Sequence, residues 1–262
     1  MNVLDFAARK AAGSRLSMVT CYDYTLARIL DTTPIDCLLV GDSVAMVMHG
    51  HPSTVYADVE MMALHTRAVT RGAPSKFVVS DMPFLAVRRG VAPALEAVQR
   101  LVQSGAHAVK IEGAAGQLDV MAHIVESGVP VMGHLGLTPQ SVHAFGGHRV
   151  QGRNPLAAAK ILDDAERLAA AGCFALVLEC VPSALATEIT QRVAIPTIGI
   201  GAGGGTDGQV LVLHDLLGLQ ADIKPKFVRR YMNGFETVGD AVSRFHDDVA
   251  QGQYPLCSES YA

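Results

Sequence analysis

The sequence lacks the features that mark membrane, secreted and nucleic-acid-binding proteins. No apolar run approaches the roughly 20 residues that a membrane-spanning helix needs. The net charge is -4 and the charges are mixed along the chain, so there is no clustered basic face for nucleic acid. Residues 1–16 have neither the apolar core nor the small-residue cleavage site of a signal peptide. We therefore expect a cytoplasmic protein without membrane or nucleic-acid partners.

Cysteine is also scarce, and its pattern excludes two common uses. The five cysteines are odd in number and contain no C-x-x-C pair. Most lie in apolar runs, which predicts buried reduced thiols rather than a disulfide framework or a zinc site. The residues are Cys21, Cys37, Cys173, Cys180 and Cys257.

Short apolar runs alternate with helical patterns along all 262 residues. These runs are continuously apolar, as expected for parallel strands that are covered on both faces. Half of the residues are hydrophobic and 18% are charged, which allows a large core. The pattern predicts a (β/α)8 TIM barrel, with a doubly wound open sheet as the alternative. The predicted strands are 17–21, 37–41, 77–80, 108–112, 130–133, 174–179, 196–201 and 210–214.

The segments between these strands carry helix signals. Asn154 before Pro155 is a good N-cap, and Ser183 can serve the same purpose for the next helix. We expect a single barrel domain over residues 1–262, with residues from about 224 to 262 forming a C-terminal helical extension. The predicted helices are 55–71, 92–104, 118–127, 155–171, 183–193 and 236–251.

Charged residues fall at the predicted strand ends, where barrel enzymes place their active sites. A single strand-end acid is usually a loop or cap residue, but several acids would converge on one rim. The residues are Asp42, Asp81, Lys110 with Glu112, His134, Glu179, and His214 with Asp215.

The stretch "VKIEG" places Lys110 and Glu112 two residues apart on one strand, so both point into the barrel. They form either a mutual ion pair or a site for a metal and an anionic ligand. Asp42, Asp81 and Glu112 together make an all-oxygen donor set that suits Mg²⁺. Glu179 ends the apolar run "FALVLE" and is a candidate general base, unless it pairs with Lys110 or a backbone donor.

Three further features are ambiguous. "GIGAGG", residues 199–204, matches a dinucleotide-binding pattern, but it lies late in the chain with no mononucleotide-binding half after it. A phosphate loop and a plain turn remain open for it. His49 and His51 lie in a loop as a minor candidate for a metal pair, and His134 is either a hydrogen-bonded structural histidine or a site residue.

Eight motifs, spread from about residue 40 to 231, resemble the ketopantoate hydroxymethyltransferase family, and they occur in the family's order. They are "VGDSVAMVMHGH", "DMPF", "VKIEG", "VMGHLGLTPQS", "LVLECVP", "IGIGAG", "DGQVLVLHDLLG" and "KPKFVRRY".

The resemblance implies a (β/α)8 barrel of the phosphoenolpyruvate/pyruvate superfamily. It implies transfer of a hydroxymethyl group from 5,10-methylenetetrahydrofolate to 3-methyl-2-oxobutanoate, the first step toward pantothenate and coenzyme A. By resemblance, Asp42 and Asp81 bind Mg²⁺ with Glu112 as the third acid, and Ser43 and Lys110 bind substrate together with the two aspartates. Glu179 falls on the proton acceptor, and the family forms homodecamers.

Two other functions use some of the same residues. An isocitrate-lyase-like carbon–carbon lyase would use the same acids but should carry a catalytic cysteine loop, and neither Cys21 nor Cys37 lies in an obvious one. A non-catalytic anion-binding barrel could use "GIGAGG" and Lys110, but it gives no reason for three inward carboxylates.

Overall fold

Eight parallel strands close into a barrel in chain order, in a computed structural model that describes residues 1–221 and 225–261. The predicted (β/α)8 fold is therefore confirmed, and the open-sheet alternative is wrong because β1 pairs with both β2 and β8. The strands are β1 Leu16–Thr20, β2 Cys37–Val40, β3 Phe77–Asp81, β4 Ala108–Glu112, β5 Val131–Gly136, β6 Ala175–Glu179, β7 Thr197–Ile200 and β8 Gly208–Leu211.

Helices lie between the strands, and the residues divide into two units, Met1–Leu211 and Val212–Ala262. The first unit contains α1 Val3–Ala11, α2 Tyr24–Asp31, α3 Val44–Val47, α4 Val59–Gly72, α5 Val91–Gln103, α6 Leu118–Glu126, α7 Pro155–Ala170 and α8 Ser183–Arg192. The second unit contains α9 Leu213–Leu216 and α10 Gly234–Ala250. None of the described helices is both long and apolar enough to cross a membrane.

The barrel interior is filled by apolar side chains, and α1 closes its N-terminal end. Phe6 of α1 is buried, and its ring meets the rings of Phe77 and Phe174 at centroid distances of 5.4 and 5.1 Å. Phe77 begins β3 and Phe174 precedes β6. Because this end is closed by an aromatic cluster, the opposite rim is the one left for a site.

Most predicted helices are present, with Asn154 capping α7 through a 2.8 Å bond from the amide of Ala157. The cap predicted at Ser183 is wrong, because Pro182 is the N-cap and gives α8 no side-chain hydrogen bond. The predicted helix 55–71 is interrupted: a 3₁₀ turn at Thr54–Tyr56 precedes α4, which Asp58 caps.

The largest error concerns the last strand. It was predicted at 210–214, whereas β8 ends at Leu211, and His214 and Asp215 lie on α9 in the second unit. Apolar residues continue from β8 into α9, so composition alone does not show where the strand ends and the helix begins. β5 also extends to Gly136, which places His134 inside the strand rather than at its end.

The glycine-rich segment after β7 forms a turn followed by a strand, without the helix of a dinucleotide site. Gly203 has a φ of +78°, and a Cβ there would lie 2.5 Å from the Cβ of Ser183 on α8. The need for glycine is therefore explained by backbone conformation and close packing.

All five cysteines are free. Cys21, Cys37 and Cys173 are buried as predicted, Cys180 is partly buried, and Cys257 is exposed, so the prediction of burial is wrong for Cys257. In the second unit, the predicted tail helix is present as α10. The domain boundary predicted near residue 224 stays a prediction, and residues 222–224, which include the start of "KPKFVRRY", lie outside the described residues together with residue 262.

Candidate active site

The predicted acids meet at the C-terminal rim of the barrel because the strand register brings them side by side. Asp81 on β3 is in register with Lys110 on β4. Glu112 on β4 is in register with His134 on β5. Asp42 lies two residues after the end of β2, and Glu179 is the last residue of β6. His214 and Asp215, which were also predicted at strand ends, are not part of the first unit.

Asp42 and Ser43 are held at the end of β2 by a tight turn. The backbone amide of Asp42 donates to Oδ2 of Asp81 over 3.0 Å. A Cβ at Gly41 would lie 2.8 Å from Oγ of Ser43, so a side chain there would displace the serine. Oγ of Ser43 shares a 2.8 Å hydrogen bond with the hydroxyl of Tyr22, a buried tyrosine that the sequence analysis did not identify.

Lys110 is a buried cation whose nearest carboxylate is that of Asp81. Its Nζ lies 3.1 Å from Oδ1 of Asp81, and both side chains are about 5% exposed or less. Burial alone would lower the pKa of Lys110, but the charges of Asp81, Glu112 and Asp42 outweigh it and the pKa is raised. The predicted alternative was an ion pair between Lys110 and Glu112, but Lys110 pairs with Asp81 instead.

His134 lies between two carboxylates inside the barrel mouth. Its Nδ1 is 3.4 Å from Oε1 of Glu112, and its Nε2 is 3.2 Å from Oε2 of Glu179. Burial and the charge of Lys110 lower the pKa of His134, but hydrogen bonds to the two glutamates outweigh them and raise it to about 9. Glu179 therefore pairs with His134 rather than with Lys110.

The position of Glu179 depends on an unusual backbone conformation. The next residue, Cys180, has a φ of +47°, which non-glycine residues rarely adopt. Its amide and carbonyl are both used, donating to Ile200 and accepting from Gln151 over 2.9 Å each. Strained backbone of this kind is concentrated at functional sites.

Gln140 is a site residue that the sequence analysis did not single out. Its Nε2 donates to Oδ2 of Asp42 over 2.8 Å and to the carbonyl of Met82 over 3.0 Å. Its backbone amide donates to Oε2 of Glu112 over 3.0 Å. The available signal was its place in the motif "VMGHLGLTPQS", in the 3₁₀ turn Pro139–Ser141 that follows β5.

The carboxylates repel one another across this mouth. Burial raises the pKa of Asp42 well above its usual range, and the charges of Glu112 and Asp81 raise it further. Burial also raises the pKa of Asp81, against the opposing charge of Lys110. Burial pushes the pKa of Glu112 upward too, but the hydrogen bond and charge of His134 and the charge of Lys110 outweigh it, and the net shift is downward.

Such a cluster can attract a cation through its carboxylates and an anion through Lys110. Within the described ranges, no three His, Cys, Asp or Glu side chains stand in an arrangement that could hold a metal ion by themselves. A cation at this mouth would therefore need further oxygen atoms from substrate or water.

The loop histidines are arranged differently from the predicted alternative of a His49–His51 pair. The rings of His49 and His51 are 6.5 Å apart, and His51 stacks on Tyr56. His49 instead places its Nε2 2.9 Å from Nε2 of His65, whose Nδ1 is 2.6 Å from the carbonyl oxygen of Tyr22.

Solved structures with the same fold include several enzymes of low sequence identity. Phosphonopyruvate hydrolase, in a complex with oxalate and Mg²⁺, superposes with a TM-score of 0.65 at 10% identity, over 99% of this chain and 93% of that chain. The 2,3-dimethylmalate lyase, a member of the PEP mutase/isocitrate lyase superfamily, has a TM-score of 0.58 at 14% identity, over 99% and 91%. At these identities the likeness shows the fold alone.

Sequence comparison is more specific. Proteins named 3-methyl-2-oxobutanoate hydroxymethyltransferase from Bdellovibrio bacteriovorus and Coxiella burnetii are 54% and 53% identical to this chain. The alignments cover 99% of both chains for the first protein, and 97% of this chain and 96% of the relative for the second. The family model for ketopantoate hydroxymethyltransferase matches residues 1–256. The chain therefore belongs to the ketopantoate hydroxymethyltransferase family and is an enzyme that transfers a hydroxymethyl group.

Proposed function

We propose that this enzyme transfers a hydroxymethyl group from 5,10-methylenetetrahydrofolate to 3-methyl-2-oxobutanoate and forms ketopantoate, through an enolate of the keto acid and with Mg²⁺ as cofactor. This is the first step toward pantothenate and coenzyme A. The observation that carries the proposal is the buried cluster of Asp42, Asp81 and Glu112 beside Lys110. It lies at the C-terminal rim of the barrel, where barrel enzymes have their active sites.

Mg²⁺ fits this cluster by charge and by donor type. Three crowded carboxylates face one lysine and one histidine, and burial together with mutual repulsion already raises the pKa of Asp42. Oε1 of Glu112 is buried, and Nδ1 of His134 is 3.4 Å from it, which is long for a hydrogen bond. All-oxygen donor sets are the ones that Mg²⁺ prefers. Asp42, Asp81 and Glu112 would hold the ion, which when bound supplies Lewis-acid stabilisation of charge on the keto oxygen.

Lys110 and Ser43 would bind the substrate with the two aspartates. Lys110 is held in its charged form by its neighbours, so it can meet the carboxylate of the keto acid. Ser43 is oriented by the hydroxyl of Tyr22 and lies next to Asp42. Because Lys110 and the two aspartates are buried, their electrostatic interactions with bound ligands are stronger than in water.

Glu179 would take the proton from C3 of the keto acid. Its side chain is 17% exposed, more than the 6% of Glu112, so it is the more accessible of the two glutamates that flank His134. Nε2 of His134 lies 3.2 Å from Oε2 of Glu179, which gives His134 the task of orienting this carboxylate as the acceptor. The enolate left by proton removal then forms the new carbon–carbon bond to the one-carbon unit of the folate. A water molecule supplies the hydroxyl oxygen, both bonds from this carbon to the folate nitrogens break, and tetrahydrofolate leaves.

The decisive experiment incubates the purified protein with 3-methyl-2-oxobutanoate, 5,10-methylenetetrahydrofolate and Mg²⁺, and detects ketopantoate by mass spectrometry. An isocitrate-lyase-like enzyme would give no ketopantoate and would cleave a hydroxy acid instead. Absence of ketopantoate from a folded, metal-loaded sample would overturn the proposal.

We also propose that the protein is a cytoplasmic homo-oligomer, a decamer by family resemblance, assembled in part through α10. This helix exposes an apolar stripe at spacings of three and four residues, which is typical of a helix face that packs against a partner. The side chains of this stripe are between 48% and 62% exposed, and they are Phe235, Val238, Val242, Phe245 and Val249. Free cysteines at five positions are consistent with a reducing compartment.

A further inference from the structure

Two histidines outside the acid cluster place their outer ring nitrogens against each other. His49 is exposed in the turn after α3, and His65 is partly buried on α4. Nε2 of one ring lies 2.9 Å from Nε2 of the other, and the rings meet edge to face with their centroids 5.1 Å apart. The proposed reaction gives neither side chain a role, so this histidine pair needs an explanation of its own.

The orientation of His65 is fixed by the backbone. Its Nδ1 lies 2.6 Å from the carbonyl oxygen of Tyr22. Because a carbonyl oxygen can only accept a hydrogen bond, Nδ1 of His65 carries a hydrogen atom. Neutral His65 therefore has its free lone pair on Nε2, the nitrogen that faces His49. Histidines that bind metals are held in the same way, with the second ring N–H donating to a backbone carbonyl or a carboxylate.

The hydrogen atom between the two rings comes from His49. Since Nε2 of His65 is an acceptor, Nε2 of His49 is the donor in the 2.9 Å contact. A neutral imidazole can carry its hydrogen on either nitrogen, so His49 can shift this hydrogen to Nδ1. Both Nε2 atoms then present lone pairs to the space between the rings, which a cation can occupy in place of the hydrogen.

The separation of the nitrogens is close to that of two imidazoles on one zinc ion. Two zinc–nitrogen bonds of about 2.0–2.1 Å at a tetrahedral angle place their nitrogens about 3.3–3.4 Å apart. The Nε2 atoms, now 2.9 Å apart, would have to separate by only about 0.4–0.5 Å while the rings tilt toward a common point. His49 can make this adjustment because it is exposed and lies in a turn rather than in a helix.

The donor type decides which ion the pair takes. Imidazole nitrogen suits zinc, copper and nickel, whereas Mg²⁺ prefers oxygen ligands, so the pair does not compete with the acid cluster for Mg²⁺. In the part of the chain that the structure describes, no third His, Cys, Asp or Glu completes the ligand set. Water would take the remaining positions. Structural zinc sites have four protein ligands, so an ion held by two would exchange with solution.

We propose that His49 and His65 form a metal site separate from the acid cluster, which takes Zn²⁺ through the two Nε2 atoms and completes its coordination with water. His51, which the sequence offered as the partner of His49, is not a ligand. Its ring is 6.5 Å from that of His49 and stacks on Tyr56. This site is independent of the proposed function, because the pair shares no residue with the acid cluster.

The test measures zinc affinity by competition with a colorimetric chelator, on the whole protein in saturating Mg²⁺. His49→Gln and His65→Asn each remove one ligand nitrogen, while their amide groups can still donate hydrogen bonds. Loss of an outer-shell partner alone typically costs 10–100-fold in metal affinity, so we expect each variant to weaken zinc binding by at least about tenfold. His51→Gln and His123→Gln are the matched controls, the second at an exposed position on α6, and both should leave the affinity unchanged.

The pattern across the four variants decides the outcome. Zinc that enters the acid cluster is bound equally by all of them, so a difference between variants reports on the histidines alone. Weaker binding in His49→Gln and His65→Asn, with unchanged controls, supports the site. Equal zinc affinity and stoichiometry in the wild type and both folded variants overturns it. A loss in His51→Gln as large as that in His49→Gln also overturns it, because the ion would then lie between the two loop histidines.

A measurement on the unmodified protein covers the case in which the variants do not fold. Wild-type crystals equilibrated with Mg²⁺ and Zn²⁺ are used for diffraction at the zinc absorption edge. An anomalous peak about 2.0–2.1 Å from both Nε2 atoms supports the site. No peak at the pair, or a peak bonded to only one of the two histidines, shows that the assignment is wrong.

Discussion

Replacing Glu179 by glutamine tests whether this residue is the base or only a partner of His134. Oε2 of Glu179 lies 3.2 Å from Nε2 of His134, and an amide oxygen of glutamine can accept from the same imidazole N–H. The substitution therefore preserves the size of the side chain and its contact while removing its ability to take a proton. General-base catalysis contributes about 10²–10⁴-fold, which corresponds to about 3–5 kcal/mol of activation free energy.

The assay follows loss of the C3 proton signal of 3-methyl-2-oxobutanoate in D₂O by NMR, at saturating substrate and Mg²⁺. We expect exchange and ketopantoate formation to fall together by that factor, while the affinity for the keto acid remains close to that of the wild type because Asp42, Asp81 and Lys110 are unchanged. Glu188→Gln is the matched control, because Glu188 is exposed on α8. Exchange at the wild-type rate in folded Glu179→Gln protein would refute the reasoning and direct attention to His134.

Three further predictions concern the metal, the substrate pocket and the assembly. Chelation should abolish activity and Mg²⁺ should restore it, whereas full activity in a demonstrably metal-free sample would exclude the site. Asp81→Asn should weaken the binding of Mg²⁺ and of the keto acid together in titrations. Tyr22→Phe removes the 2.8 Å hydrogen bond to Ser43, a contact worth about 0.5–1.5 kcal/mol, so KM for the keto acid should rise about 2- to 12-fold. Tyr24→Phe, at a half-exposed position, is the control and should leave KM unchanged. Deletion from Asn233 onward should reduce the oligomer mass in light scattering, and so should Val242→Glu in the exposed stripe of α10, whereas Ser243→Glu on the neighbouring face should not. A truncated protein of unchanged mass would contradict the role of α10.

The barrel could be predicted because its strands are buried on both faces, which leaves continuous apolar runs in the sequence. The bounds of β4 are the predicted ones, 108–112. β8 was misplaced for a physical reason: Gly208 and Gln209 have little apolar character, and their strand conformation depends on pairing with Leu16 and Ser17 of β1. Pairing between the first and last strands is a tertiary effect that no local pattern reveals.

The convergence of the acids was predictable, but their partners were not. Residue spacing placed Lys110 and Glu112 on one face of β4, which suggested that they pair with each other. The stagger between neighbouring strands decides otherwise, because it sets Lys110 beside Asp81 and Glu112 beside His134. Gln140 was missed because its importance depends on reaching back from the turn after β5 to Asp42, across a separation of 98 residues.

These pairings give chemically identical carboxylates different properties. Asp42 has carboxylates and an amide donor around it, and its pKa is raised, whereas Glu112 receives a hydrogen bond from His134 and its pKa is lowered. Glu179 shares the same imidazole from the opposite nitrogen and is more exposed than Glu112. A cation would relieve the repulsion where it is greatest, around Asp42, while His134 supports both glutamates from the barrel interior. One histidine thus lies between the two glutamates, because its ring nitrogens face Glu112, a proposed cation ligand, and Glu179, the proposed proton acceptor.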